Sequence, residues 1–407
     1  MHVAMAIGLH RPSHVQDFSK FKADLMEEEL RDRVRTWAAC NAVAQRVATG
    51  YGQPPTTFYD WTLEPKGAYP PGFILPKDAQ NRLTIERFSS RITQMLYRND
   101  SDMVGLAHEE TRIAFTKMCE TEYEQIGKRL INPDQFSWLY LRAAYIHFRL
   151  SIFFAQPNAK DYNDGLLALW NAAIDFLNTV FGIKTSAGDL YQYSTNYILQ
   201  IMLVCAFTLL KLLNSFFAAF IDQDEGRKVL TRTIRAIREI SIPPNDLPSR
   251  LAEVLSQLWK GSTAASKNPA LALENSLQLK VKCRMSMSLV FDSVWRWREE
   301  FQSKGKGNLD TATKNPTNVD SNVESSATSV VDQATSNTSL MPAGGVPGTL
   351  TPGLRAGTPQ PEGWMLGHDY NEVFDPLGWM FDGYVDFPSS YAMGAAMMPG
   401  MEQEESL

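Results

Sequence analysis

The chain of 407 residues carries 39 Lys and Arg against 45 Asp and Glu, a formal charge of −6, with 44% hydrophobic and 11% aromatic residues. Its length admits one large domain or two to three ordinary ones, and its acidic balance excludes a wholesale nucleic-acid coat or a polybasic membrane anchor. The charge is uneven: residues 1–355 hold 39 positive and 36 negative groups, whereas 356–407 hold nine acids and neither Lys nor Arg. That asymmetry describes a near-neutral globular body followed by an acidic interaction tail.

In chain order, the opening Met1-His2-Val3-Ala4-Met5-Ala6-Ile7 has no basic n-region, and its apolar run is too short for a signal peptide. Next comes a charged helix in which Glu27–Arg31 and Glu29–Arg33 are i, i+4 pairs in the favoured order. Residues 49–78 hold Pro54, Pro55, Pro65, Pro70, Pro71 and Pro76 among four glycines, which predicts a long loop, and its aromatic residues predict that it packs on the body. Residues 84–301 show helical periodicity almost throughout. A helix opens at Pro133-Asp134 with Trp138, Leu141, Tyr145, Phe148 and Ile152 on one face and ends at Pro157. A second runs from Gly165 to Val180, with Gly182 as its stop. The apolar stretch Tyr197–Ile221 is interrupted by Gln200 and Lys211 and is read as a central buried helix, not a membrane span. Helices over Glu225–Ile240 and Leu247–Trp259 follow. Leu273–Phe301 fits either a strand alternation or an i+4 face; without a partner strand, the helix is preferred.

No enzymatic signature emerges, and no catalytic, metal-binding or DNA-binding residue is assigned in this chain. His108-Glu109-Glu110-Thr111-Arg112 has Arg where a zinc-protease helix needs its second His. Asp222-Gln223-Asp224-Glu225-Gly226 echoes a calcium loop whose glycine comes one place early and which no Glu closes. Cys40, Cys119, Cys205 and Cys283 are too widely spaced for a zinc site and read as buried thiols in a reducing compartment. His147 reads as a satisfied, partly buried histidine. Lys228, Arg232, Arg235 and Arg238 line one side of a helix as a wet face or as a contact for DNA or an acidic partner.

From Gln302 to Gly363 there is no aromatic residue, and Ser, Thr, Asn, Gly and Pro dominate, the composition of a disordered linker. Aromatic residues then return among the acids. Trp364, Phe374, Trp379, Phe381, Tyr384 and Phe387 are the candidate anchors of an activation segment that would fold into a coactivator's groove. The simpler alternative is an ordinary disordered terminus.

Several motifs resemble, in order, the middle homology region of fungal binuclear-zinc-cluster transcription factors. They are Ala4 to Arg11, with Gly8-Leu9-His10-Arg11 at its end; Glu29 to Trp37, with Arg31, Arg33 and Trp37; and the loop Gly50-Tyr51-Gly52-Gln53-Pro54. Leu277 to Phe301 looks like the closing helix of the subgroup that holds secreted-protease activators and leucine regulators. The likeness covers most of 1–301. It implies an all-α regulatory domain over 1–301, a linker over 302–363 and an activation tail over 364–407, in a nuclear regulator of transcription. The body would mask, dimerise or sense an effector. The family's six-cysteine zinc cluster is absent from these 407 residues. The resemblance therefore implies that zinc and specific DNA contact belong to a missing N-terminal domain, and that the regulatory domain here is N-terminally incomplete. A helical interaction or inhibitor protein that binds a partner without DNA is the alternative.

Overall fold

The computed structural model describes residues 1–20, 25–55, 63, 75–157, 161–243, 246–265 and 277–303, all within one compact unit. The expected linker and tail, including all six anchors Trp364, Phe374, Trp379, Phe381, Tyr384 and Phe387, lie outside the described residues, as does most of the Pro-rich loop.

The body is all-α. Its helices are α1 (His2–Ala6), α2 (Glu27–Tyr51), α3 (Lys77–Leu96), α4 (Glu109–Arg129), α5 (Gln135–Arg149), α6 (Tyr162–Gly182), α7 (Asn196–Leu213), α8 (Gln223–Ile240), α9 (Leu247–Ala265) and α10 (Ser288–Ser303). Among the described residues the only strands are a two-residue pair, β1 (Lys184–Thr185) and β2 (Gly188–Asp189), joined antiparallel.

The helix starts follow from local chemistry. Asp134 caps α5 by accepting from the Ser137 amide at 2.7 Å. Asp222 caps α8 by accepting from the Asp224 and Glu225 amides, both at 3.0 Å, so the calcium-like pentapeptide is a helix start. Arg112, at the position where a zinc helix would need His, donates to the carbonyls of Ala107 and Phe154 and ties α4 to the turn after α5.

α7 is the centre. Nearly every side chain on it is buried, and it packs against α2, α6, α8, α9 and α10. α6 and α7 are both long and apolar enough to cross a membrane, yet α7 is enclosed by other helices of the body. The expected single helix to Ile221 stops at Leu213 instead. Asn214 and Ser215 break it, and Ser215 caps a separate 3-10 turn over Phe216–Phe220.

Other expectations need similar correction. α5 ends at Arg149, and a 3-10 turn over Leu150–Phe154 precedes Pro157. Its buried surface is wider than the single expected face: Leu139, Ala143 and Ile146 are as buried as Leu141 and Phe148, while Trp138 is 38% exposed. α9 runs past Trp259 to Ala265. The largest departure is at Leu277–Met287, where no α-helix forms. The carboxylate of Asp292 accepts the amides of Lys280 and Val281 at 2.7 and 3.1 Å, which holds this segment as an irregular strap ahead of α10. Residues 273–276 lie outside the described residues.

α2 and α3 run parallel. Arg35 and Ala38 line the same cleft as Pro76 and Ala79, and further along Arg46 meets Glu86. A parallel pair needs a connection that returns along the helices, and α2, at 25 residues, is about 37 Å long. This accounts for the unusual length of the Pro-rich segment. Within it, Leu63 is buried with Trp37 and Leu83, and its carbonyl accepts from Arg87 at 2.9 Å.

The turn out of α2 fixes a second long-range contact. Gly52 has φ +60, and a Cβ there would overlap the carbonyl oxygen of Arg284 in the strap. Gly52→Ala is expected to lower unfolding stability by roughly 1–3 kcal/mol in a urea titration, through left-handed strain and displacement of the strap. Gly182→Ala, with open space around the added carbon, serves as the neutral comparison.

Candidate functional site

The motif residues singled out in the sequence form a structural joint. Gly8 follows α1 with φ +72, and Phe18 lies so close that a Cβ at Gly8 would stand 2.5 Å from its ring. Leu9 is buried with Ala4, Val34 and Trp37. The His10 ring meets Phe18 edge-on at 5.1 Å and lies 6.1 Å from Trp37. Arg11 donates to the His10 carbonyl. Arg33 reaches the Ile7 carbonyl at 2.7 Å, bonding the end of α1 to α2. The expected Glu29–Arg33 pair is therefore not made: Glu29 accepts from the Met26 amide at the helix start, while Arg31 keeps its bond to Glu27. Gly50 lets α2 approach Tyr197 and Gln200 of α7, and Pro54 is exposed. Thus Gly8, Leu9, His10, Arg33 and Trp37 converge; Arg31, Gly50 and Pro54 stand apart. None of the convergent groups is presented as a reacting centre.

Three buried polar clusters hold the helices in register. In the first, Arg46 meets Glu86 at 2.5 Å and lies 3.6 Å above the Tyr140 ring. Burial raises the Glu86 carboxyl above its usual range against the pull of Arg46. In the second, His147 is fully buried rather than partly so. Thr93 spends its hydroxyl hydrogen on the Ser89 carbonyl and so accepts from His147 Nε2 at 3.1 Å. Nδ1 is then the acceptor for Ser286 Oγ–H at 2.6 Å. Burial pushes the imidazole pKa down to about 3, so the ring is neutral and joins α3, α5 and the strap.

In the third cluster, Asp292 is enclosed on α10. One oxygen takes the two strap amides; the other pairs with Arg296 at 2.9 Å and with Lys211 of α7 at 3.8 Å. Burial and the neighbouring Arg296 push the Lys211 amine down to about 8, against the pull of Asp292. Sequence reasoning missed Asp292 and Ser286, and it noted Gly52 only as part of a loop motif. The available signal for Asp292 was a lone acid inside the apolar run Ser288-Leu289-Val290-Phe291-Asp292-Ser293-Val294-Trp295.

No His, Cys, Asp and Glu group among the described residues could hold a metal ion. Cys119 and Cys205 are buried, with thiols raised by desolvation. Cys40 is only half-buried and Cys283 is exposed, which corrects the expectation for those two.

Two surface features remain. A cleft of about 310 Å³ opens between α2 and α3 over Ala38, Ala39, Ala42 and Leu83, with Arg35 and Arg82 at its lip. On α8, Lys228, Arg232, Arg235 and Arg238 are exposed on the side opposite Leu230, Ile234 and Ile237.

The chain is similar to the regulatory protein LEU3 of Saccharomyces cerevisiae, 22% identical over 351 residues, covering 77% of this chain and 39% of the yeast protein. It therefore spans about two fifths of that relative's length. No family model matches the chain, and no solved structure matches it.

The clusters generate two tests. Asp292→Ala leaves Lys211 and Arg296 without their counter-charge, and a loss of about 3–5 kcal/mol is expected in denaturant unfolding. His147 gives a pH signature. Its folded pKa lies below the unfolded value of 6.5, so the unfolded chain binds more protons between pH 6.5 and about 3. Stability should therefore fall as pH drops through that window, by at most about 1.4 kcal/mol per pH unit from this group. In His147→Gln that component of the slope should vanish, as read from melting temperatures at matched pH values.

Proposed function

We propose that this chain is the regulatory body and activation segment of a fungal transcription regulator. The observation that carries the reading is the similarity to a yeast regulatory protein across 77% of the chain. On this reading the protein is not an enzyme and works in the nucleus. Residues 1–301 are the helical regulatory domain and 302–363 a linker. A homodimer through this domain is compatible with the assignment. Specific DNA contact would come from a zinc-cluster module that residues 1–407 do not contain. Secreted-protease or nutrient-metabolism genes are the proposed targets.

Activation is assigned to residues 364–407. Acids keep this segment solvated and its aromatic residues accessible, while Trp364, Phe374, Trp379, Phe381, Tyr384 and Phe387 supply contact area for coactivators.

The experiment fuses 364–407 to a foreign DNA-binding domain and reads a reporter gene. Activation is expected from the native segment. Replacing Trp379, Phe381, Tyr384 and Phe387 with Ala should abolish it, whereas Asp382→Asn with Asp386→Asn should reduce it only in part, since Asp369, Glu372 and Asp375 remain. A silent fusion, or full activity without the four aromatics, would move the assignment to a partner-titrating inhibitor.

A further inference from the structure

α8 is the most sharply two-sided helix of the body. Gly226, Val229, Leu230, Thr233, Ile234, Ala236 and Ile237 are buried, against α6, α7 and α9. The close approach is enforced at Gly226, where a Cβ would overlap the Trp170 ring. The other side carries Arg227, Lys228, Arg232, Arg235 and Arg238, with no acid between Glu225 and Glu239.

At 100° per residue, Lys228, Arg232 and Arg235 fall within a sector of about 60° and span about 10 Å along the axis. They form a column at i, i+4 and i+7. Lys228 and Arg235 have no ion-pair or hydrogen-bond partner among the described residues. Arg232 is held with its guanidinium 4.3 Å over the Phe181 ring, which fixes its direction without neutralising it. The two outer cations are already engaged: Arg227 with Gln223 and Asp224, and Arg238 with Glu253 and Ser256 of α9. Acids close the column at both ends. Asp224 and Glu225 lie in the first turn, and Glu239 accepts from the Tyr191 hydroxyl in the last.

This sequence of charges discriminates among anions. A duplex presents phosphates beyond both ends of a 10 Å column and would meet Asp224, Glu225 and Glu239. A segment that is acidic throughout meets the same repulsion. The complementary surface is acidic for two turns and neutral or basic on either side. A helix with carboxylates at i, i+4 and i+7 matches the column's spacing.

We propose that the solvent face of α8 is a docking surface for a helix of a partner protein whose three carboxylates form such a column between neutral or basic turns. Lys228, Arg232 and Arg235 are its counter-charges, and the flanking acids set the register by excluding shifted pairings.

The test uses the full chain and fluorescence anisotropy with three labelled probes. The first is an alanine-based helical peptide with Glu at i, i+4 and i+7 and Lys in both end turns. The second has the same composition with its Glu residues spread around the helix. The third is a duplex of about 20 base pairs. The column peptide is expected to bind about tenfold or more tightly than either of the others, and less tightly as salt rises. Lys228→Glu with Arg235→Glu should reduce it to the level of the scrambled peptide. Lys228→Gln with Arg235→Gln, a milder change at the same exposed positions, should give an intermediate loss. Lys128→Glu on α4 should change nothing. The proposal is overturned by equal affinity for the scrambled peptide or the duplex, by no binding of the column peptide, or by indifference to both α8 variants.

Discussion

The carboxylate of Asp292 is the constraint on which the arrangement of the body turns. α7 needs to be buried on all sides, yet it carries Lys211. A buried ammonium is tolerated only with a counter-charge and hydrogen bonds. Asp292 supplies the counter-charge from α10, and α10 is placed where it can do so. The same carboxylate, with an oxygen to spare, takes the two strap amides and thereby turns Leu277–Val281 away from helix. One side chain thus links α7, the most buried helix described, α10 and the irregular strap that precedes α10.

Much of the helical body could be read from periodicity, because α5, α6, α7 and α8 each carry a local signal: a cap, an apolar stripe or a terminating residue. Pro133-Asp134 announced one helix start, whereas Asp222 drew notice only as a calcium-loop echo and proved to be the cap of α8; the helix preferred over a membrane span at 197–221 is the core helix α7. What could not be read depended on contacts remote in sequence. Leu277–Met287 has i+4 spacing that suits a helix, but contacts from Asp292, Arg296, His147 and Gly52 hold it as a strap. Arg33 has a well-placed Glu29 one turn away, yet the Ile7 carbonyl wins because α1 folds back on α2. Cys283 follows the strap to the surface, so an expectation based on average burial of thiols failed there.

The joint around Gly8 separates recognisability from chemistry. Its residues stand out in the sequence because each meets a steric or hydrogen-bonding demand: a left-handed turn, a buried leucine, an imidazole between two rings, an arginine on a helix-terminal carbonyl. These demands come from joining two helices. The exposed features, the α2–α3 cleft and the cationic column of α8, leave weaker marks in sequence, since charged surface helices are common and a cleft is a property of three-dimensional placement.

The strap has a consequence for synthesis. His147 and Ser286 are partners across 139 positions, and Gly52 and Arg284 approach each other across a still longer span. A ribosome adds residues from the N-terminus, so α2, α3 and α5 exist long before the strap that closes them has left the exit tunnel. Until then His147 has Thr93 but not Ser286, and the end of α2 is uncovered. The nascent body therefore passes through an unfinished stage in which its first half waits for residues 280–292, with the apolar surface that the strap covers left open. The first helices thus reach their final packing only after residues 280–292 have emerged, even though their own sequence is translated far earlier.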